Sequence, residues 1–179
     1  MASHRASFAD LPPMATARAG NVIGGGDFGR DRLIPDLMRA GQTGQALVLR
    51  NPSATRPFQH VLDVAAGYLL LAEALAAGNA PMALNFGPAE AELSVVDLLA
   101  HWKAATGAAV TWRLSDAPPT PEKSRLALDS SLARKHLGWA PRYTTGHAVA
   151  ETAKWYQDWA AGVDMAQATD AAIQAYLEG

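Results

Sequence analysis

The fold predicted for this chain starts from the segment Met14-Ala-Thr-Ala-Arg-Ala-Gly-Asn-Val-Ile-Gly-Gly-Gly-Asp27. Its first ten residues alternate loosely between apolar and polar side chains, which is typical of a strand, and the three glycine residues that follow indicate a flexible turn. Downstream, the apolar run Val64 to Ala77 predicts a helix, and Met82 to Phe86 predicts a buried strand. Strands and helices alternate in this manner along the chain, so the sequence predicts an α/β domain.

Capping residues predict where the helices begin and end. Leu33 to Ala40 is expected to be helical, with Gly41 as its stop. Asp63 is placed to accept hydrogen bonds from the first N–H groups of the helix Val64 to Ala77, and Ser94 is placed to do the same for the next helix.

Composition limits the classes of protein that need to be considered. The 179 residues are 49% hydrophobic and 18% charged, which suits one compact domain over residues 1–179. The absence of Cys excludes a disulfide scaffold and a Cys nucleophile, and the five His show no metal-ligand spacing. A formal net charge of −2 gives no basic field, so nucleic acid is not an expected partner.

The apolar runs are short, and the N-terminal residues lack the pattern of a secretory signal. Residues 1–13 carry two basic residues, one aspartate and two prolines instead of a continuous apolar segment. The longest apolar stretch, residues 64–77, is interrupted by Glu73 and falls short of the roughly 20 residues that a bilayer requires. We therefore expect a cytoplasmic protein without a membrane partner.

The glycine residues satisfy a nucleotide-binding pattern, Gly24-x-Gly26-x-x-Gly29, in sequence only. A dinucleotide site needs the third glycine within the first turn of a helix, whereas the predicted helix begins near Leu33. Acidic residues, including Asp27 and Asp31, also crowd the loop and disfavour a pyrophosphate. We predict a turn here, and a self-contained NAD-binding protein remains an alternative.

Basic and amide side chains next to the predicted elements indicate an anionic ligand. Arg32 lies at a helix start, Arg50 ends the short strand predicted from Leu47, and Arg56 precedes another helix. Guanidinium groups and helix N-termini both bind phosphate oxygens. Asn21 and Asn85 each end a predicted strand, where α/β folds place ligands. The alternative is a set of solvated surface side chains.

Three segments together closely resemble the CDP-glucose 4,6-dehydratases, which belong to the extended short-chain dehydrogenase/reductases of the NAD-dependent epimerase/dehydratase family. The segments are Ala15-Thr-Ala-Arg-Ala-Gly-Asn-Val-Ile-Gly-Gly-Gly-Asp27, Asp31-Arg-Leu-Ile-Pro-Asp36 and Arg50-Asn-Pro-x-Ala-Thr-Arg-Pro-Phe-Gln-His60. The likeness continues in order with Asn85-Phe-Gly-Pro88, Leu126-x-Leu-Asp129 and Leu137-Gly-Trp-x-Pro141. It covers nearly the whole chain.

The resemblance implies a fold and a reaction. The fold would be the C-terminal part of an extended short-chain dehydrogenase/reductase, with the last strands of a Rossmann-type sheet and a small substrate-binding α/β subdomain. Members of this family are lyases of deoxysugar biosynthesis. They bind NAD on an N-terminal Rossmann domain, oxidise the glucosyl C4 hydroxyl with a Tyr-x-x-x-Lys pair, eliminate water across C5 and C6, and return the hydride to C6.

The resemblance also implies roles for individual residues. Asn21 would contact the sugar diphosphate, Arg56 would pair with a phosphate, and Arg32 and Leu33 would form the substrate-facing helix start. The strand that includes Leu49 and Arg50 would pass the base, Asn85 would lie near the nucleotide, and Glu122 would belong to a segment that folds over the substrate. The residue before Glu122 is Pro121, where the family usually has His.

The catalytic pair of the family has no counterpart in this sequence. Tyr68, Tyr143, Tyr156 and Tyr176 are the tyrosines, and none has Lys four positions later. By resemblance the pair would precede Met1, together with the NAD-binding part. We therefore expect the chain alone to be inactive and to bind no NAD.

The expected ligand is CDP-glucose or a related nucleotide sugar, and the expected protein partner is a second copy or the missing N-terminal half. Two other functions remain open: a noncatalytic sugar-nucleotide-binding module, and a part of another NAD-dependent nucleotide-sugar epimerase or dehydratase.

Overall fold

The computed structural model describes residues 7, 12–108, 110–117 and 123–179. Glu122, which the resemblance assigns to a segment over the substrate, lies outside the described residues, as does Pro121.

The described part of the chain alternates strands and helices, which confirms the predicted α/β class. The helices are α1 (Leu33–Thr43), α2 (Val61–Ala76), α3 (Val95–Thr106), α4 (Ser131–Leu137), α5 (Thr145–Ala160) and α6 (Met165–Glu178). The strands are β1 (Thr16–Ala19), β2 (Asn21–Ile23), β3 (Leu47–Leu49), β4 (Thr55–Arg56), β5 (Phe58–His60), β6 (Ala83–Phe86), β7 (Leu93–Ser94) and β8 (Trp112–Leu114).

The strands associate in pairs, most of them parallel. β1 pairs with β6, β2 with β5 and β3 with β8 in parallel, while β4 and β7 form a short antiparallel pair. In the β2–β5 pair, Asn21 lies opposite Phe58 and Ile23 opposite His60. The parallel pairing places the glycine-rich turn after β2 beside the start of α2, which follows β5 directly.

The single strand predicted for residues 14–23 is wrong, because the chain changes its partner strand at Gly20. The Gly20 N–H donates to the Phe86 carbonyl (3.3 Å), whereas the next N–H, that of Asn21, donates to the Pro57 carbonyl (2.9 Å). A Cβ on Gly20 would lie 2.2 Å from the Pro57 oxygen. Glycine is therefore required where the two strands separate, and Asn21 begins a strand instead of ending one.

Two predicted helix ends also differ from the structure. Helix α1 continues through Gly41 to Thr43 and ends at Gly44, which has a φ of 68°. Helix α2 begins at Val61, and its N-cap is His60, whose Nδ1 accepts from the Leu62 N–H at 3.3 Å. Asp63 lies inside the first turn. By contrast, Ser94 caps α3 as predicted and accepts from the Asp97 N–H at 3.1 Å.

Two apolar clusters form the core. The larger one joins α1, β2, β3, β5, α3 and α5, with Leu37, Leu98 and Val149 fully buried at its centre. The smaller one lies between α2, β6 and α4, where the Phe86 and Trp139 rings meet edge to face with centroids 5.0 Å apart. Burial of these side chains outweighs the entropy lost by ordering them.

Asp63 is a buried polar residue in α2 that makes hydrogen bonds to Trp139, Arg142 and Tyr176. Its Oδ1 accepts from the Arg142 N–H (2.7 Å) and from the Tyr176 hydroxyl (2.9 Å), and its carbonyl accepts from the Trp139 indole N–H (2.9 Å). Burial raises the pKa of Asp63, and the hydrogen bonds from Arg142 and Tyr176 partly oppose that rise. The carboxylate thereby attaches α6 to the start of α2.

Within the described ranges, no helix is both long enough and apolar enough to cross a bilayer.

We predict that Tyr176→Phe lowers the free energy of unfolding by about 1–2 kcal/mol, because it removes a hydroxyl donor from a buried carboxylate. Urea denaturation of both proteins measures the difference. Tyr68→Phe is the matched control, since Tyr68 is partly exposed and the structure shows no hydrogen bond from its hydroxyl within the described ranges. Equal stability of wild type and Tyr176→Phe would contradict the role given to this contact.

Candidate functional site

A cleft of about 1250 Å³ opens between the glycine-rich loop, α1 and the strand β3. The loop of residues 24–32, called the rim loop from here on, forms one side. The first turn of α1 begins at Leu33, and β3 contributes Leu47 and Leu49. The cleft therefore combines a helix N-terminus with apolar walls, a combination that suits a ligand with an anionic group and a ring.

Most of the residues proposed from the sequence lie around this cleft. It is lined by Asn21, Arg32, Leu33, Leu49, Arg50 and Arg56. The sequence separates these residues by up to 35 positions, and the β2–β5 pairing together with α1 brings them to one cavity.

Asn85 is not among the residues that line the cleft. It lies opposite Arg18 in the β1–β6 pair, and its side-chain Nδ2 donates to the Asp129 carbonyl at 2.9 Å. Asn85 therefore joins β6 to the segment that precedes α4, which is a contact within the protein.

Arg56 is the most buried of the basic residues in the cleft, with 9% of its surface exposed. Its Nη1 donates to the carbonyl of Thr55 at 2.8 Å, and its backbone lies in the β4–β7 pair. A guanidinium held in this way is directed by the protein before any ligand arrives, which favours tight binding of an anion.

The glycine residues of the rim loop serve packing contacts. A Cβ on Gly25 would lie 2.0 Å from Cγ of Trp155 on α5, and Gly26 has a φ of 81°. The Tyr156 hydroxyl donates to the Asp27 carbonyl at 2.5 Å. Burial raises the pKa of Tyr156 to about 12, so the phenol remains protonated and able to donate. The loop is thereby fixed against α5.

These contacts do not fit a dinucleotide cofactor at the rim loop. The N–H of Gly29 donates to Asp27 Oδ1 at 2.9 Å, and α1 begins four residues later, at Leu33. A pyrophosphate site needs that glycine and its N–H within the first turn of the helix. Gly24, Gly26 and Gly29 thus shape a turn and do not form a pyrophosphate site.

Acidic and basic side chains alternate along the cleft wall. Arg32 Nη1 lies 3.0 Å from Asp27 Oδ2, and Arg39 pairs with Asp36. Partial burial would raise the pKa of Asp27, but the Gly29 N–H and the guanidinium groups of Arg32 and Arg39 hold it below its ordinary value. Asp27 is therefore ionised at neutral pH.

The sequence reasoning missed several polar residues of the cleft, namely Arg39, Thr43, Gln45 and Ser115. Helical periodicity could have indicated two of them. Arg39 and Thr43 lie seven and eleven residues after Arg32, on the same face of the helix. Ser115 follows β8, and its N–H donates to the Leu49 carbonyl at 2.8 Å, so only the β3–β8 pairing brings it to the cleft.

His60 lies at the end of β5, next to the glycine-rich turn. Burial, together with the nearby His147, lowers the pKa of His60 to about 4, so its imidazole is neutral. No group of three His, Cys, Asp or Glu in the described ranges could hold a metal ion.

Residues 3–87 match the sequence profile of the NAD dependent epimerase/dehydratase family. A CDP-glucose 4,6-dehydratase of Salmonella typhimurium is 37% identical over 168 residues, which cover 92% of this chain and 46% of that protein. The chain spans about half the length of the curated relatives it matches.

Solved structures show the same fold. A UDP-glucose-4-epimerase of Stenotrophomonas maltophila, with bound NAD and formylated UDP-arabinopyranose, superposes with a TM-score of 0.77 at 23% identity and covers 90% of this chain and 52% of that one. An NAD dependent NDP-hexosamine 5,6-dehydratase of tunicamycin biosynthesis gives a TM-score of 0.73 at 24% identity, over 88% of this chain and 50% of that one.

The fold is thus that of the nucleotide-sugar epimerases and dehydratases with a Rossmann-type sheet. In sequence and in fold the chain is similar to a part of the longer members of the NAD dependent epimerase/dehydratase family.

We predict that Gly25→Ala destabilises the protein by about 1–3 kcal/mol, because the added methyl group overlaps the Trp155 indole. Thermal and urea unfolding measure the loss. Gly41→Ala is the matched control: its Cβ would meet nothing within 4 Å inside α1, so it should stabilise by about 0.5–1 kcal/mol. A Gly25→Ala variant as stable as wild type would contradict the packing described for the loop.

Proposed function

We propose that this chain is the nucleotide-sugar-binding part of a CDP-glucose 4,6-dehydratase, the enzyme class that converts CDP-glucose to CDP-4-keto-6-deoxyglucose. The observation that carries the proposal is the cleft itself, which gathers Arg32, Arg50 and Arg56 beside the apolar side chains of Leu33 and Leu49. The similarity to the Salmonella typhimurium dehydratase supports the choice of base and reaction.

The lining residues suit the parts of a nucleotide sugar. The guanidinium of Arg56 and the first turn of α1 suit the diphosphate, since both favour anions. Leu33 and Leu49 offer apolar contact to a flat base, and the Asn21 amide can both donate and accept. In this proposal Asn85 acts indirectly, through its hydrogen bond to the Asp129 carbonyl, and Glu122 is a further substrate-binding residue.

The chemical steps belong to another part of the enzyme. The described residues offer no Tyr-x-x-x-Lys pair, and the rim loop does not fit NAD. The chain, a single partial domain over residues 1–179, is therefore inactive alone in this proposal. It binds and orients the substrate, while NAD and the acid/base residues belong to the N-terminal part of the enzyme.

A second function in the same family is binding of another nucleotide sugar. The Stenotrophomonas maltophila structure holds a UDP sugar, and its fold is the same. Titration of the chain with CDP-glucose, UDP-glucose and dTDP-glucose separates the alternatives, since we expect tightest binding of CDP-glucose. A noncatalytic binding module would bind the same ligand but would lack a partner that restores dehydration.

We predict that Arg56→Ala weakens binding of CDP-glucose by about 2 kcal/mol or more, because a phosphate loses a charged donor held in place before binding. Isothermal titration calorimetry measures the change. Arg134→Ala is the control with the same loss of charge, on the exposed face of α4. Unchanged affinity in Arg56→Ala would remove Arg56 from the site, and no binding of any nucleotide sugar by wild type would contradict the proposed function.

A protein partner is proposed for one face of the molecule. Helix α2 exposes Tyr68 and Leu69 away from the cleft, and Leu69 is 67% exposed. The strand β1 pairs with β6 along one edge, and no strand of the described ranges pairs with its other edge. Exposed apolar side chains on a helix and a sheet edge that can take a further strand both favour association. We propose that the N-terminal half of a dehydratase or a second copy of this chain covers this face.

We predict that sedimentation equilibrium shows self-association of the chain at micromolar concentration, because burial of the α2 face is favourable. Leu69→Lys should weaken it. Leu177→Lys, at an equally exposed leucine of α6, should not. A monodisperse monomer that melts cooperatively would contradict this prediction.

A further inference from the structure

The Arg32 side chain follows a defined path across the rim loop. A Cβ on Gly29 would lie 3.0 Å from Arg32 Nε and 3.1 Å from Cδ, so the guanidinium end of Arg32 lies directly over the glycine. From there Nη1 donates to Asp27 Oδ2 at 3.0 Å. The side chain remains largely exposed at the cleft, yet this contact gives it a preferred orientation.

Asp27 is itself held from several sides. Its Oδ1 accepts from the Gly29 N–H at 2.9 Å, and its carbonyl accepts from the Tyr156 hydroxyl. Arg39 on α1 donates to the carbonyls of Phe28 (3.2 Å) and Gly29 (2.9 Å), which attaches the same loop to the helix. The carboxylate that meets Arg32 is therefore fixed by the protein and does not follow Arg32.

We propose that Asp27 is a positioning residue that orients the Arg32 guanidinium toward a phosphate of the bound nucleotide sugar. This inference rests on the proposed function and adds to it a residue that does not touch the ligand. Gly29 supports the same orientation, because a Cβ at this position would lie only 3.0 Å from Arg32 Nε and would press on the arginine side chain. The third glycine of the nucleotide-binding pattern, Gly29, thus leaves room for the Arg32 side chain.

The hydrogen-bonding capacity of arginine allows both contacts together. A guanidinium carries five N–H donors, and Asp27 engages Nη1, which leaves Nη2 and Nε for a phosphate. Because a long side chain loses rotamer freedom when it binds, an orientation set before binding reduces that cost. The same carboxylate also repels an anionic ligand, and by charge alone its removal would tighten binding.

The sign of the change in affinity therefore distinguishes positioning from charge. Asp27→Asn keeps an oxygen to accept from the Gly29 N–H, so the turn is retained while the charge is removed. We expect Asp27→Asn to weaken CDP-glucose binding by about fivefold, whereas simple electrostatics predicts a gain. Isothermal titration of the whole chain with CDP-glucose measures the change, and circular dichroism melting checks the fold.

A double-mutant cycle with Arg32→Ala shows whether the effect passes through the arginine. We expect Asp27→Asn to cause no further loss in the Arg32→Ala background. Gly29→Ala is a second variant, which keeps the charge of Asp27. Its added methyl group would lie 3.0 Å from Arg32 Nε and 3.1 Å from Asp27 Oδ1, and it should weaken binding in the same Arg32-dependent manner. Asp158→Asn, which removes a carboxylate paired with Lys154 on α5, is the matched control and should bind as wild type.

Unchanged or tighter binding by Asp27→Asn, or an equal loss with and without Arg32, would overturn the positioning role. If wild type binds CDP-glucose and Arg56→Ala does not, while Asp27→Asn binds normally, this inference fails and the proposed function stands. If wild type binds no nucleotide sugar, both fail.

Discussion

The parallel pairing of β2 with β5 fixes where the glycine-rich turn, helix α2 and the cleft lie relative to one another. It places the glycine-rich turn after Ile23 beside the start of α2 at His60, and it brings Asn21 level with Phe58. The cleft lies where the rim loop leaves β2 and leads into α1. Gly20, whose backbone lies against Pro57, allows the chain to reach this partner after leaving β6.

The rim loop forms one side of the cleft and is held from two directions. Packing of Gly25 on Trp155 and the hydrogen bond from Tyr156 fix the loop against α5, while Arg39 fixes it against α1. A binding site needs rigid support of this kind, because a protein binds its ligand less tightly when the contacting side chains are displaced. The three glycines of the dinucleotide pattern thereby have other physical causes: Gly24 lies against Val61, Gly26 has a φ of 81°, and Gly29 lies against the Arg32 side chain.

Local features of the fold could be predicted from the sequence, and long-range ones could not. Ser94 acts within one turn of its helix, so its capping role follows from neighbouring residues. Gly20 and Asp63 instead contact groups far along the chain. Gly20 lies against the Pro57 carbonyl, and Asp63 accepts from the Tyr176 hydroxyl. Asn85 is a further example. Its amide donates to the carbonyl of Asp129, 44 residues away, and its place near the end of a strand does not predict this contact.

A crystal structure of the chain grown with CDP-glucose is the most direct test that this cleft holds a nucleotide sugar. We expect electron density for the diphosphate beside Arg56 and the first turn of α1, with the base against Leu33 and Leu49. Density for the ligand at another surface, or a cleft that stays empty at saturating CDP-glucose, would contradict it.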